Sequence, residues 1–259
     1  MRLQNSTCAP PPATPPSPPP PPSLAAPQTV SVALSLAGIN PSTFTLASLV
    51  TGLAASVGAD PSALNVTITD LPVSTTLTLA GSGLTAISTS ALAALKTSLA
   101  TATGVPVSGI TLGAVAAAGR RHLLDVSVPV TVSGLGGNIA AASAVVTALT
   151  NPTNLATIST AVPGSSGAVA TAPSVSARVS VVVTTSNPAL VAAANTALAN
   201  PATVTSSLAA AGVSATVTVT TPPTVNAPPP PSSSPAAPQL RGSRWLAAAA
   251  TLICFALSA

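Results

Sequence analysis

Acidic residues are almost missing from this chain: three Asp and no Glu stand against seven Lys/Arg and one His in 259 residues. The net charge of +4 therefore reflects absent acids rather than a basic surface. Nucleic-acid binding needs clustered cations tracking phosphates, commonly with aromatic platforms for the bases, and neither pattern occurs. Aromatics are as scarce, with two Phe, one Trp and no Tyr. Any core must then be assembled from Val, Leu, Ile and Ala, whose side chains each bury a modest area. The two cysteines, Cys8 and Cys254, fall in segments expected to be disordered or removed, so no internal disulfide framework is implied. No apolar run reaches the roughly 20 residues that a membrane-spanning helix requires.

These shortages also narrow the chemistry. A hydrolytic triad needs a nucleophile, a base and an orienting acid in one place. His122 is the only candidate base, and Asp60, Asp70 and Asp125 are the only acids. His122 and Asp125 could meet in a turn, but the stretch Gly119-Arg120-Arg121-His122-Leu123-Leu124-Asp125 suits a solvated hairpin loop equally well. A structural zinc site wants four His/Cys ligands and a calcium loop wants several acids, and neither set can be assembled. Gly134-Leu135-Gly136-Gly137-Asn138 is glycine-rich, but no Lys-Ser/Thr pair follows it as in a phosphate loop, so it reads as a strand-to-helix turn. The expectation is a protein that is not an enzyme, with no catalytic residue, no metal ligand and no cofactor.

What the chain does have is proline, 29 residues of it. Pro10-Pro11-Pro12-Ala13-Thr14-Pro15-Pro16-Ser17 and Pro18 to Pro22 should form an extended polyproline II rod, because fixed φ and missing N–H groups exclude helix and sheet. A second proline run, Pro228 to Pro231, leads into Ser232-Ser233-Ser234-Pro235. Ser/Thr-interrupted runs such as Thr14-Pro15-Pro16-Ser17-Pro18-Pro19 resemble the hydroxyproline-rich glycoproteins of plant and green-algal extracellular matrices. The resemblance covers residues 10–23 and 228–235 only. It implies hydroxylated, O-glycosylated prolines and an extracellular compartment, with cell-wall polysaccharide or matrix glycoproteins as partners.

Between the proline runs the chain repeats itself. Leu34-Ser35-Leu36-Ala37-Gly38 returns as Leu77-Thr78-Leu79-Ala80-Gly81, and Leu46, Leu49, Leu53 and Gly58 return at one spacing as Leu92, Leu95, Leu99 and Gly104. Pro61-Ser62-Ala63-Leu64 parallels Pro106-Val107-Ser108-Gly109. A second kind of repeat matches Val126, Val130 and Val132 with Val175, Val179 and Val181, and Asn151-Pro152 with Asn200-Pro201. Each unit reads strand, helix, strand: alternation, then leucines at helical spacing, then alternation. The Asn-Pro steps should break or restart the helices of the later units. Joining the second and third units yields βαββαβ, the order of ferredoxin-like sandwiches.

The predicted fold class is thus α+β, with tandem or nested ferredoxin-like modules built from βαβ repeats and flanked by disordered polyproline II segments. In the nested version, residues 29–73 and 174–222 complete an outer module around an inner one at 74–173. Residues 1–28 form the proline-rich segment, 223–244 a Pro/Ser-rich stalk and 245–259 an apolar tail. Pairing of the first unit with the second remains the rival arrangement. Contact between Val32 or Leu36 and Val179 or Val217 distinguishes the two.

Met1-Arg2-Leu3-Gln4-Asn5 leads into Ser-Thr-Cys with no apolar stretch and does not read as a signal peptide. Small residues at Ser232, Ser233 and Ser234, a spacer bearing Arg241 and Arg244, and the apolar run from Trp245 to Leu257 match a GPI-attachment signal. A short tail anchor and an incidental apolar terminus are the alternatives. Arg120-Arg121 is a candidate dibasic processing site, and Asn5-Ser6-Thr7 and Asn65-Val66-Thr67 are N-glycosylation sequons. Together these features predict a non-enzymatic cell-surface or extracellular-matrix glycoprotein, anchored at the plasma membrane through a lipid or its tail. The alternative is an adhesion module that recognises a glycan or protein partner through its sheets.

Overall fold

The structure, a computed structural model, describes residues 26–81, 87–118 and 125–227. The first repeat supplies β1 (Gln28–Ile39), α1 (Leu46–Val57) and β2 (Leu64–Asp70), and the second β3 (Val73–Ala80), α2 (Thr89–Thr103) and β4 (Ile110–Leu112). A short β5 (Ala116–Ala118) follows. The third repeat supplies β6 (Asp125–Val132), α3 (Ile139–Thr150), α4 (Pro152–Thr160) and β7 (Gly167–Ala170). The fourth supplies β8 (Ser174–Thr185), α5 (Pro188–Ala199), α6 (Pro201–Ala210) and β9 (Thr216–Asn226). The protein is α+β: among the described residues, six helices accompany one open, antiparallel nine-stranded sheet.

Local chemistry sets the helix boundaries. The Thr45 hydroxyl accepts the Ser48 N–H at 3.1 Å to start α1, and the Ser88 hydroxyl accepts the Ala91 N–H at 3.2 Å to start α2. Gly58 and Gly104 end these helices in the left-handed region, with φ of 70° and 69°. In the later repeats each helix is split where an asparagine precedes proline. Asn151 and Asn200 leave the helical conformation, as the residue before proline prefers. Each then caps the next helix, accepting from the Thr153 N–H at 2.9 Å and the Ala202 N–H at 3.1 Å.

Pairing divides the sheet into two sections of equal plan. β1 lies between β8 and β9, and β8 carries β2 on its other side. β3 lies between β6 and β7, and β6 carries β4 and β5. Each section, counted in its own chain order and setting β5 aside, has the strand order fourth, first, third, second. Leu36 is directly opposite Val217, and Leu34 opposite Val179, so the first repeat pairs with the fourth. The second pairs with the third.

The sections meet through a continuous two-stranded ribbon. β2 and β3 run end to end against β8 and β7, from Leu64 opposite Val183, through Val73 opposite Val175, to Ala80 opposite Gly167. Two irregularities keep both sections facing the same way. A bulge between Ile68 and Asp70 shifts the inward phase of β2–β3 by one residue. On the other strand, the Thr171 hydroxyl accepts the Thr76 N–H at 2.9 Å while its carbonyl accepts the buried Thr75 hydroxyl at 2.7 Å. That pairing explains why a threonine is tolerated on the buried face.

Residues of β1, β6 and β8 alternate between core and surface along most of their length. Val30, Val32, Leu34 and Leu36 are buried on β1, as are Val175, Ala177, Val179, Val181 and Val183 on β8 and Val126, Val128, Val130 and Val132 on β6. Val175 and Val73, paired across the junction, are both buried, so the core-facing sides of the two sections are one face of the sheet. The helices cover that face and complete one continuous hydrophobic cluster of Leu, Val, Ile and Ala, with Phe44 the single aromatic side chain among the described residues. β9 continues through Pro222-Pro223 to Asn226, beyond residue 222, where the sequence reading ends the last repeat. As an edge strand paired on one side, it tolerates residues that cannot donate to a ladder.

Candidate functional site

Among the described residues, the other face of the sheet carries no helix and is lined by short hydroxyl side chains. Alternation puts Ser31 and Ser35 of β1, Thr67 and Thr69 of β2, Ser176 and Ser180 of β8 and Thr218 and Thr220 of β9 on this side, with Ser74, Thr76 and Thr78 of β3 continuing it. Arg178 is the one cation among them. It sits in the middle of β8, opposite Ser35 on one neighbour and Asp70 on the other, and is exposed.

Around Arg178 the surface sinks into a shallow depression of about 470 Å³ lined by Ala33, Ser35, Thr69, Ser180 and Thr220. Two threonines form its rim by turning back onto strand carbonyls. The Thr69 hydroxyl donates to the Arg178 carbonyl at 3.1 Å, and the Thr220 hydroxyl donates to the Ala33 carbonyl at 3.0 Å. The second bond occurs where the β1–β9 register shifts, so the hydroxyl takes a place that the ladder leaves irregular. A guanidinium with five donors in a fixed fork, set among hydroxyls, is suited to an acceptor-rich, uncharged or anionic ligand. Among the described residues, no acid, imidazole or thiol lines the depression.

The acids have structural work elsewhere. One oxygen of Asp70 accepts from the Leu71 N–H at 2.9 Å and from the Gly134 and Leu135 N–H groups at 3.1 Å each, tying the β6–α3 loop to the ribbon. Asp60 accepts both the N–H and the hydroxyl of Ser62, at 2.8 and 2.6 Å, and caps the tight turn Pro61–Ala63 that leads into β2. The hydroxyl bond first, and the backbone bond second, hold its carboxyl below the usual carboxylate range. Asp125 opens β6 opposite Ala118 of β5. Among the described residues, no three of His, Cys, Asp and Glu converge as metal ligands would.

Of the candidate processing, glycosylation and anchor-attachment residues singled out in the sequence, Asn65 is the one whose surroundings the structure describes. It lies on β2, exposed, with Thr67 exposed two residues along on the same helix-free face. Asn5, Arg120, Arg121, His122, Ser232, Ser233 and Ser234 lie outside the described residues, although the pairing of Ala118 with Asp125 makes β5 and β6 the two arms flanking residues 119–124. The glycine-rich stretch Gly134–Asn138 is a strand-to-helix turn, with Asn138 capping α3 through the Ala141 N–H at 3.0 Å. Arg178 was missed by sequence reasoning. Its signal was present: it is the one charged residue within the long alternation of β8, on the serine phase rather than the valine phase.

No protein-family model matches the chain, and neither a curated protein nor a solved structure matches it. No described helix is long and apolar enough to cross a membrane.

Proposed function

We propose that this protein is a non-enzymatic cell-surface or extracellular-matrix glycoprotein whose folded body is two ferredoxin-like βαββαβ sandwiches, one nested inside the other and sharing a sheet. The fold part of this reading is supported by the identical fourth, first, third, second strand order of the two sections. The functional part is carried by one observation. Thr29, near the start of β1, is paired with Asn226, the last residue of β9. The chain therefore enters and leaves the body at neighbouring points, so the proline-rich segments on either side attach at one end of it. A body inserted in line between two rods would need its ends at opposite poles. The paired ends instead suit a head carried on its stalks, with its hydroxyl face turned outward to wall polysaccharide or matrix glycoproteins and its tail side toward the membrane.

Treatment of intact cells with a phosphatidylinositol-specific phospholipase tests the attachment. Release of a chain that lacks Trp245 is expected, and a cell-bound mature chain that retains Trp245 overturns the lipid anchor. The Arg178 depression favours a second reading, an adhesion module that recognises a glycan or protein through the sheet. Binding of the body to a glycan array, lost in Arg178→Ala and kept in Lys96→Ala, supports adhesion. Binding unaffected by Arg178→Ala removes this face from consideration.

A further inference from the structure

The open sheet poses a problem that most of its edges solve visibly. An unpaired strand edge is a template for another chain, and proteins guard such edges by shortness, proline, irregular register or lysine. β4 and β5 have three residues each and β7 has four. β9 carries Pro222-Pro223 and two register shifts. β2 differs: its seven residues, Leu-Asn-Val-Thr-Ile-Thr-Asp, hold no proline, lysine or arginine, its one register shift lies at its far end between Ile68 and Asp70, and among the described residues it pairs with β8 alone. The β6–α3 loop shelters its far end, where Gly134 and Leu135 bond Asp70 and Gly137 approaches the Ile68 carbonyl so closely that a Cβ would lie 2.9 Å from it. Among the described residues, the stretch Leu64–Thr67 has no such cover.

That stretch contains the sequon Asn65-Val66-Thr67. The strand period places Asn65 and Thr67 together on the helix-free face, both exposed, while Val66 turns toward the core and is half-buried. A glycan on the Asn65 amide would project beside the unguarded half of the edge without disturbing any buried group. In a chain with 4% charged residues it would supply the bulk and solvation that lysines supply elsewhere.

We infer that Asn65 is an N-glycosylation site and that its oligosaccharide is the guard of the β2 edge, keeping the nine-stranded sheet from pairing with a second copy of this chain. The inference rests on the cell-surface reading, since the modification requires passage through the secretory pathway. Its test is peptide mapping of the full chain recovered from the exported fraction of its own cells, with and without peptide N-glycosidase. A glycan on Asn65, kept in Thr67→Ser and lost in Asn65→Gln, is the expected result. An exported chain with bare Asn65 overturns this site and leaves the surface reading intact. A chain that is never exported overturns both. Sedimentation of the exported variants tests the guarding role: the glycosylated chain should be monomeric, Asn65→Gln should shift to dimers and larger species, and Asn65→Lys, which restores a guard by charge, should return to monomer. A monomeric Asn65→Gln chain, or an Asn65→Lys chain that associates as Asn65→Gln does, overturns the role as edge guard.

Discussion

The two sections of the sheet share one plan and differ in how the chain reaches them. The inner section uses residues between Val73 and Ala170 without interruption, and its strands are short, at 8, 3, 8 and 4 residues for β3, β4, β6 and β7. The outer section is drawn from 28–70 and 174–226, and its strands are longer, at 12, 7, 12 and 11 residues for β1, β2, β8 and β9. Closing the hundred-odd residues between Asp70 and Ser174 in a flexible chain costs roughly 4 kcal/mol by the logarithmic loop law. Once the inner section has formed, the ribbon already holds the two connections side by side, and that cost is met.

The largest effect expected from breaking this dependence is at the inner core. Leu77 and Leu34 are the corresponding central leucines of β3 and β1, 0% and 1% exposed. Truncating either to Ala should cost about 2–5 kcal/mol at its own site. Leu77→Ala should release the outer section as well, whereas Leu34→Ala should loosen the outer section and leave inner amides protected. Residue-resolved hydrogen exchange checks this, and equal loss of protection in both sections for both variants would contradict the ordering.

The second contrast lies at the turns that enter β2 and β4. Continuing the spacing that relates Leu49 to Leu95 and Gly58 to Gly104 puts Asp60 opposite Pro106 and Ala63 opposite Gly109, one residue out of step with the match of Pro61 to Pro106 suggested by the prolines themselves. The tight turns Pro61–Ala63 and Val107–Gly109 obey the structural spacing. A Cβ on Gly109 would lie 2.6 Å from the Ser133 carbonyl oxygen, because the Gly109 carbonyl accepts the Ser133 N–H at 2.8 Å and brings the two backbones together. Gly109→Ala should therefore cost about 1–3 kcal/mol through forced displacement of β6. Ala63→Gly in the outer turn should cost less than that. Denaturant titration of the two variants measures the difference.

How far the fold was legible follows from the same kind of residue. The repeated leucines were readable because burial recurs with them: Leu49 and Leu53, like Leu95 and Leu99, are fully enclosed, and the Asn-Pro steps break helices by backbone sterics that need no tertiary context. The partnership of first with fourth repeat required the chain's three-dimensional path, since local alternation says that a strand has a buried face and is silent on its neighbour. The ribbon was written as a phase slip, with inward residues at Leu64, Val66 and Ile68 and then at Leu71 and Val73. A strand reading that averages alternation over a window hides such a slip. Arg178 was hidden for a related reason: a lone charge in a strand acquires meaning only when the strands beside it turn out to be serine- and threonine-faced. The edge status of Asn65 likewise depended on which strand β2 pairs with.

A smaller effect is expected at the tie between the sections. Asp70→Ala removes an oxygen that accepts three backbone N–H groups, two of them from the β6–α3 loop of the inner section. With partial access of water to these donors, a loss of about 1–2 kcal/mol is expected. Asp70→Asn keeps a side-chain oxygen at the same place and should recover most of it. Thermal unfolding of the pair, compared with Leu77→Ala, shows whether the sections are coupled through this loop or through the ribbon alone.

The smallest effect separates the two sections by acid. Asp60 caps the outer turn, while its structural counterpart Pro106 offers the inner turn no side-chain acceptor. Bonding from the Ser62 hydroxyl and N–H lowers the Asp60 carboxyl below its ordinary value in the folded state. A carboxyl whose folded value is depressed binds protons more readily in the unfolded chain, so its contribution is complete above the ordinary carboxylate range and disappears as pH falls through the lowered folded value. Asp60 is fully exposed to solvent, which keeps the contribution small. Acidification should therefore weaken protection of the Ser62 amide before that of Gly109, whose N–H donates to the Pro106 carbonyl at 2.8 Å in the inner turn. Asp60→Asn, which retains an acceptor that does not titrate, should make the Ser62 response flat. An equal acid response at Ser62 and Gly109 would mean that acid acts on the sheet as a whole, and the two turns would then no longer report on their own sections.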